Sequence, residues 1–568
     1  MKLRVKILYI AIGVLLCCSS LCAARDTVYV SGSVQHDGLF PTRDVSEYRA
    51  RPRAKWAKID HLSNNYIDLS VHYLTSDDNK SHFRGVTAAT RVELNQWPLL
   101  GYEPGFAGHG IGHLSLRADF DWGHVSVGDI YGQFGSGMLL NLYENRDLGI
   151  DNSLRGAKIT ADPYTGIHVT LLGGKQRRYW NCYADRAWGW NYTQDAALGA
   201  DLNLELHSWI KPLQDNNVDL TVGGSYVSKY EQRDTILRPI DGMLYMYNLP
   251  RWVGAGEVRA ELQAHGWDVM AEYAYKANDP TLENAMDYRP GQALLLSAGY
   301  SRKGFSVLVQ TKFSDNMSFR SARREQGIVG RLNLLPVFTP QHTYSLAALY
   351  PYATQYVEGE WAFQADVCYT WPRKTPMGGR YGTTLKLSAA HVRGLREPGS
   401  WAIDMSQKGT YYTDIHLELN KKVNKIWNLN ALLMYQTYNQ RVIEGEGDLV
   451  RAGVAVLENK VKINKNVILR NELQYLFTRQ DNGQWVAALL ELDLWHCVTL
   501  TGSWEYNIGG APNELKQHYY YAGATYSNGA HHLSAGYVKS SGGFNCSGGV
   551  CRMEPEQEGV KMSYNYTW

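Results

Sequence analysis

The sequence predicts an all-β protein: one large transmembrane antiparallel β-barrel of about 24 strands, preceded by a cleaved signal peptide. Three observations carry that expectation. The chain ends on an alternating strand that stops at Trp568, amphipathic segments separated by turns of alternating length run along its whole length, and its first residues have the parts of an export signal.

The last stretch is the most telling. Val560, Met562, Tyr564, Tyr566 and Trp568 fall on one side of an extended strand, and Lys561, Ser563, Asn565 and Thr567 on the other, because side chains alternate faces with period two. A soluble sandwich could bury such a face. Outer-membrane barrels commonly end this way, since the barrel-assembly machinery reads a last strand with a terminal aromatic. That machinery and the lipid bilayer are therefore expected partners.

Composition agrees. Tyr (39) and Trp (17) far outnumber Phe (12), which suits rings that sit between hydrocarbon and water. Hydrophobic residues make up 44% of the chain and mean hydropathy is −0.35. A helical membrane protein would instead need several apolar runs of about 20 residues. A barrel hides its apolar half in alternation and can look this polar.

At the N-terminus, Lys2, Arg4 and Lys6 precede an apolar run from Ile7 to Leu16, and Cys22, Ala23 and Ala24 follow. This reads as a signal peptide over residues 1–24 with cleavage after Ala24, leaving one barrel domain over residues 25–568. Cys17, Cys18 and Cys22 are each preceded by Leu or Cys, not by the small residue that lipoprotein processing needs. Losing the three basic residues of the signal turns the formal charge of +2 into −1, so no electrostatic case for nucleic acid remains. Of the 8 Cys, three lie in the signal, Cys182, Cys368 and Cys497 are isolated, and Cys546 and Cys551 are close together.

After the signal, Val28 to Gln35 reads as a first strand with no plug domain or energy-coupling box before it, which argues against a TonB-dependent transporter. Three strand pairs then stand out. Val258, Ala260 and Leu262 alternate with Glu257, Arg259, Glu261 and Gln263, turn at His265-Gly266, and return through Trp267, Val269, Ala271, Tyr273 and Tyr275. Leu294 to Tyr300 turns at Ser301 to Gly304 into Phe305 to Phe313. The third pair is Trp427 to Tyr435 with Val486 to Leu494. From Trp427 to Tyr435, eight steps of ~3.3 Å span ~26 Å, or about 20 Å once tilted by ~40°. Trp427 and Tyr435 therefore read as the two edges of an aromatic girdle, with Trp267, Tyr275, Tyr566 and Trp568 in the same role.

The opposite faces carry Glu257, Arg259 and Glu261, or Arg470, Glu472 and Gln474, or Glu491 and Asp493. Unpaired charges in a dry interior would cost several kcal/mol each, so these faces suggest a water-filled lumen. Loop lengths give a check. With Trp568 in the periplasm, the connection Ser541 to Gly559 is long and extracellular. Going backwards, short turns near Ser527 to Gly529, Trp495-His496, Asn464-Lys465 and Lys422-Val423 alternate with longer loops near 507–517, 438–448 and 394–409. The alternation gives about 24 strands, with a range of about 22 to 26 because residues 314–353 are one long loop or hide a hairpin.

Two passages draw attention for chemistry. In the first, Gly128 to Met138 is glycine-rich and able to bend along or into a wall. It runs on to a mixed-charge cluster of Glu144, Arg146, Asp147, Asp151 and Arg155. It reads either as an inward-folded constriction loop that selects solutes or as a salt-bridge network that pins a loop. Together with Glu257, Arg259, Glu261, Arg470 and Glu472, these are the lumen and constriction candidates. In the second, Cys546-Ser547-Gly548-Gly549-Val550-Cys551-Arg552 permits a local disulfide stapling the last loop.

The strings GDIYGQFGSGMLLNLYENRDLGIDNSLRGAKI and CSGGVCR, followed by GVKMSYNYTW, resemble a family of Bacteroidetes outer-membrane proteins of unknown function. The resemblance covers most of the mature chain. It implies an exported barrel and nothing biochemical.

Weaker motifs are set aside. Gly108, Gly110 and Gly112 lack the spacing of a dinucleotide loop. His109 and His113 are separated by glycines and make a poor zinc pair. No GxSxG or nucleophile–base spacing is present, so neither an enzyme, a cofactor nor a metal is expected. The expectation is a porin-like channel or uptake protein for an unidentified solute. The other reading is a structural or assembly scaffold of the outer membrane, with a closed lumen that docks partner proteins.

Overall fold

The computed structural model describes residues 26–42, 60–75, 82–95, 97–178, 180 and 195–568. The expected signal peptide over 1–24 and Cys182 lie outside them.

Twenty-four strands form one closed antiparallel sheet, each hydrogen-bonded to its neighbours in chain order. The first, Thr27–Pro41, pairs with the last, Gln557–Thr567, from Ser33↔Thr567 to Pro41↔Gly559. Closure leaves no unpaired edge. An even strand number puts both chain ends at one rim, here called the terminal end. The longer connections gather at the opposite rim, the loop end.

Period-two alternation sorts side chains between the two faces. On Trp252–Ala264, Val258 is 63% exposed on the outside while Glu257 and Arg259 point inward and are buried. Leu433, Leu473, Leu490 and Val309 are likewise exposed outward. Most connections at the terminal end are tight turns. Ala264 pairs with Trp267, and His265 and Gly266 both take positive φ, 51° and 87°, the pattern of a type I′ hairpin whose twist suits the flanking strands.

The third expected pair is not a hairpin. Strands Leu449–Lys462 and Val467–Phe477 stand between Trp427–Asn439 and Gln484–Leu494. Alternation alone matches any two strands of one barrel, and only the turns fix which are adjacent.

Residues 316–359 hold no strand of the barrel. Pro336, Pro340 and Pro351 interrupt the ladder, and the segment turns into the lumen. Leu335, Phe338, Leu346, Tyr350, Tyr352 and Tyr356 pack there against Leu432, Met434, Val454, Val456 and Trp485 of the wall. Residues 131–153 fold inward beside it, with Phe134, Leu139, Leu140 and Leu142 against Leu172, Val227 and Val253. The two segments interlock: Asn141 N donates to Leu332 O at 2.7 Å, Leu334 N to Gly137 O at 2.9 Å, and Asn333 Nδ2 to Met138 O at 2.9 Å.

Together they fill the loop half of the lumen only. On Thr410–Lys422, lumen-facing Tyr412, Asp414 and His416 are buried, Glu418 is half-buried, and Asn420 and Lys422 are exposed. On Leu449–Lys462 the same gradient runs from Val450 to Lys462. The barrel is a cup, closed at the loop end and open at the terminal end. The expectation of a water-filled lumen therefore holds for one half and fails for the other, where charged faces are dry and paired.

Candidate functional site: an ion-paired constriction in the loop half of the lumen

The inward segment 131–153 starts at Ile130, where the wall strand Gly123–Ile130 ends. Its close approach to the wall depends on Gly135, at φ 48°: an added Cβ would meet Glu257 Oε1 at 2.5 Å and Glu272 Oε1 at 2.6 Å. That allows the Ser136 N–H to donate to both Glu272 carboxylate oxygens, at 3.2 and 3.1 Å.

A chain of charges then latches the segment to the wall. Arg91, on Phe83–Asn95 and 3% exposed, reaches Glu93 at 2.9 Å, Glu144 at 2.6 Å and Asp151 at 2.6 Å. Arg177 joins Glu93 at 2.6 Å and also pairs with Asp151. Arg146 bonds Glu144 at 2.7 Å and Asp68 at 2.9 Å, donates to Gln35 Oε1 at 3.0 Å, and lies 4.4 Å above the Tyr66 ring. One basic group removed from such a set would strand a buried carboxylate, which costs far more than the intact set contributes. Burial pushes the Asp151 carboxyl up, but Arg177 and Arg91 overcome it and hold the group well below the usual carboxylate range.

The second inward segment is held in the same way. Lys312 pairs with Glu360 at 2.7 Å and donates to Pro336 O at 2.6 Å. Arg320 meets Glu283 at 2.6 Å, with Arg331 at 3.4 Å. Burial raises the Glu283 carboxyl, yet Arg320 and Arg331 bring it below its ordinary value. Lys229 is fully buried and bridges Glu231 and Asp279, both at 2.8 Å.

Of the first charge cluster expected from sequence, Glu144, Arg146 and Asp151 come together. Arg155 pairs instead with Asp129, its Nε 3.0 Å from Oδ1. Asp147 stands apart and exposed, its main-chain carbonyl accepting from Tyr102 at 3.3 Å. Arg259 bonds Glu257 at 2.9 Å and Asp201 at 2.6 Å, while Glu261 is exposed toward the terminal end. Arg470 pairs with Glu472, with Glu491 at 2.6 Å and with Glu458 at 3.4 Å.

Arg91, Glu93 and Arg177 are not among the residues expected from sequence. Arg91 and Glu93 two apart on a strand are a usable signal, whereas Arg177 becomes a partner through hairpin register: Gln176 stands opposite Leu154, and Arg177 N donates to Ser153 O at 2.9 Å, beside Asp151.

Trp267, Tyr275, Trp427 and Tyr435 are exposed on the outer surface. Tyr566 stacks on Trp568 at 5.5 Å at the terminal end. Cys546 and Cys551 face each other across the hairpin Gly543–Ser547 and Val550–Glu554, Cα atoms 4.1 Å apart and joined by a disulfide. That hairpin lies on the inward segments: Val550 packs with Leu148 and Ile150, and Arg552 lies 3.9 Å from the Tyr102 ring centroid. Among the described residues, Cys368 and Cys497 are unpaired.

A family model described as a family of unknown function, DUF6029, matches residues 3–568. The chain belongs to this family. No curated protein matches it. Among solved structures, this DUF6029 chain is similar to the siderophore receptor PirA from Pseudomonas aeruginosa, at 10% identity and a TM-score of 0.39, covering 95% of this chain and 81% of that one. It is also similar to the copper transporter OprC at 9% identity and a TM-score of 0.39, with 95% and 81% covered. A mutant porin of Rh. blastica aligns at 11% identity and a TM-score of 0.25, over 56% of this chain and 93% of the porin.

Proposed function

We propose that this DUF6029 chain is an outer-membrane barrel that conducts or takes up a small solute, and that its own inward segments close the lumen at rest. The outward belt of exposed Val258, Val309, Leu433, Leu473 and Leu490 supports insertion in a bilayer, because a closed barrel in water would leave that belt uncovered. Trp267 and Trp427 at the terminal end and Tyr275 and Tyr435 farther toward the loop end would mark the interfaces. The terminal rim would face the periplasm and the loop rim the outside, with Trp568 read by the assembly machinery.

The single observation that carries a gated conduit is the latch itself. The constriction is held through Arg91, Glu93, Glu144, Asp151 and Arg177, ionic contacts that a local rearrangement can exchange for water at the open half. The second reading is a permanently closed scaffold. It is favoured by the tyrosine-rich packing of Tyr350, Tyr352 and Tyr356 against the wall.

Single-channel recording in planar bilayers separates the two. A gated conduit gives a mostly closed wild-type protein with discrete openings, and Arg91→Ala and Arg146→Ala raise the open fraction several-fold. Silence in wild type and in both inserted variants would leave the scaffold.

A further inference from the structure

Below the second inward segment, three side chains of a different kind converge. Asp414 and His416 are two apart on the lumen face of Thr410–Lys422, and His342 descends onto them from residues 316–359. His342 Nε2 stands 2.6 Å from Asp414 Oδ2, and His416 Nδ1 stands 2.8 Å from Oδ1. The Tyr412 hydroxyl donates to Asp414 Oδ2 at 3.2 Å. The side chains of His342, Asp414 and His416 are 7%, 0% and 4% exposed.

One donor atom from each residue lies within 4.8 Å of the other two. Donors about 2.1 Å from a tetrahedral ion sit about 3.4 Å apart. That value falls between the shortest separation here, 2.6 Å, and the upper bound, so modest side-chain rotation would close the set around an ion. Two imidazoles and one carboxylate suit the late first-row divalent ions, whereas magnesium and calcium prefer oxygen throughout.

The group also has an approach. His342 and His416 line a cavity of about 640 Å3 whose wall carries Asp366, Glu418 and Glu458 against Lys386. An excess of carboxylates draws a cation toward the histidines. From Glu418 and Glu458 the lumen-facing positions grow steadily more exposed toward the terminal end, so an ion can arrive from that side.

We propose that His342, Asp414 and His416 bind a divalent late transition-metal ion of the zinc or nickel class, with the remaining coordination positions open to the lumen cavity. Because His342 belongs to the inward segment and the other two to the wall, the ion ties one to the other. The competing arrangement is a His–Asp–His brace in which both imidazoles donate N–H to the carboxylate and no ion is held.

The test uses the full chain folded in detergent, stripped with a chelator and titrated with Zn2+ and with Co2+. The proposal expects one ion per chain by elemental analysis after desalting, and a visible Co2+ absorption. It expects affinity to fall at least about 100-fold in His342→Gln and in His416→Gln, since even outer-shell partners cost 10–100-fold. Both variants should keep the mobility shift of a folded barrel on unheated gels. No saturable binding by the wild type, or equal binding by both folded variants, overturns the proposal. Should a variant not fold, wild-type protection decides: Zn2+ is expected to shield His342 and His416 from diethyl pyrocarbonate. Unchanged modification of the pair would contradict the site.

Discussion

Gly32 and Trp568 exchange main-chain hydrogen bonds, Gly32 N to Trp568 O at 3.2 Å and Trp568 N to Gly32 O at 3.1 Å, so the last residue of the chain seals the first strand. A Cβ at Gly32 would meet the Trp568 ring at 2.3 Å and Asp68 O at 2.6 Å. The ring could swing away, but the backbone oxygen could not. Gly32→Val is therefore expected to lower the closed, heat-modifiable fraction several-fold on unheated gels, and deletion of Trp568 to lower it as well. Normal recovery of Gly32→Val would mean that this seam tolerates slack.

Arg91 holds three carboxylates at once, and its removal leaves Glu93, Glu144 and Asp151 short of compensation. Arg91→Ala should destabilise the inward segment by about 3–5 kcal/mol, the usual cost of breaking a buried pair. The barrel strands should be spared. Hydrogen exchange is the measurement: faster exchange confined to residues 131–153 is expected, and uniform acceleration across the wall would show that the segment and the barrel are one cooperative unit.

Acid should loosen the inward segments first. Glu283 and Asp151 have folded values below their ordinary ones. Their contribution is therefore complete above the unfolded values, about 4.3 for Glu and 3.9 for Asp, and is lost as pH falls through the folded ones. Limited proteolysis from pH 6 downward should leave residues 316–359 and 131–153 resistant until about pH 4 and expose them below it. Glu283→Gln should flatten the dependence for residues 316–359, whose Arg320 and Arg331 Glu283 holds. Loosening on raising pH instead would contradict the sign.

The disulfide closes a short loop and should contribute at most about 3 kcal/mol. Reduction is expected to free the segment around Arg552 from Tyr102 without unfolding the barrel, and Cys546→Ser with Cys551→Ser should still insert. With Cys182, Cys368 and Cys497 replaced by Ser, labelling of intact cells by an impermeant maleimide should appear only after reduction. Its absence in an inserted protein would mean that the hairpin faces the periplasm or stays covered.

Much of this architecture is legible in the sequence. Strands such as Trp252–Ala264 and Trp267–Lys276 announce themselves by alternation and a His265-Gly266 turn, and alternating loop lengths lead to 24 strands. What stays hidden is long-range. Alternation could not pair Trp427–Asn439 with its true neighbour, because every wall strand carries the same pattern. The abundance of tyrosine suggested rings at the bilayer surface, yet Tyr344, Tyr350, Tyr352 and Tyr356 fill the lumen. Residues 316–359 carry no period at all, so neither their inward path nor the meeting of His342 with Asp414 and His416 could be read from spacing. Arg146 and Asp151 stand out beside glycines, but their partners Asp68 and Arg91 are met only because residues 131–153 fold inward, and Arg177 only through the register that sets Gln176 against Leu154.

The lumen is filled in its loop half and open in its terminal half. The most direct measurement is cysteine accessibility in the folded barrel, with Cys368, Cys497 and Cys182 replaced by Ser and one cysteine introduced at a time. Glu418→Cys and Lys460→Cys, toward the terminal end, should react rapidly with a water-soluble maleimide, while Met434→Cys and Val454→Cys, beneath the inward segments, should react at least about tenfold more slowly. Equal rates at all four positions would contradict the account, because a through-going water-filled pore would then run the length of the barrel.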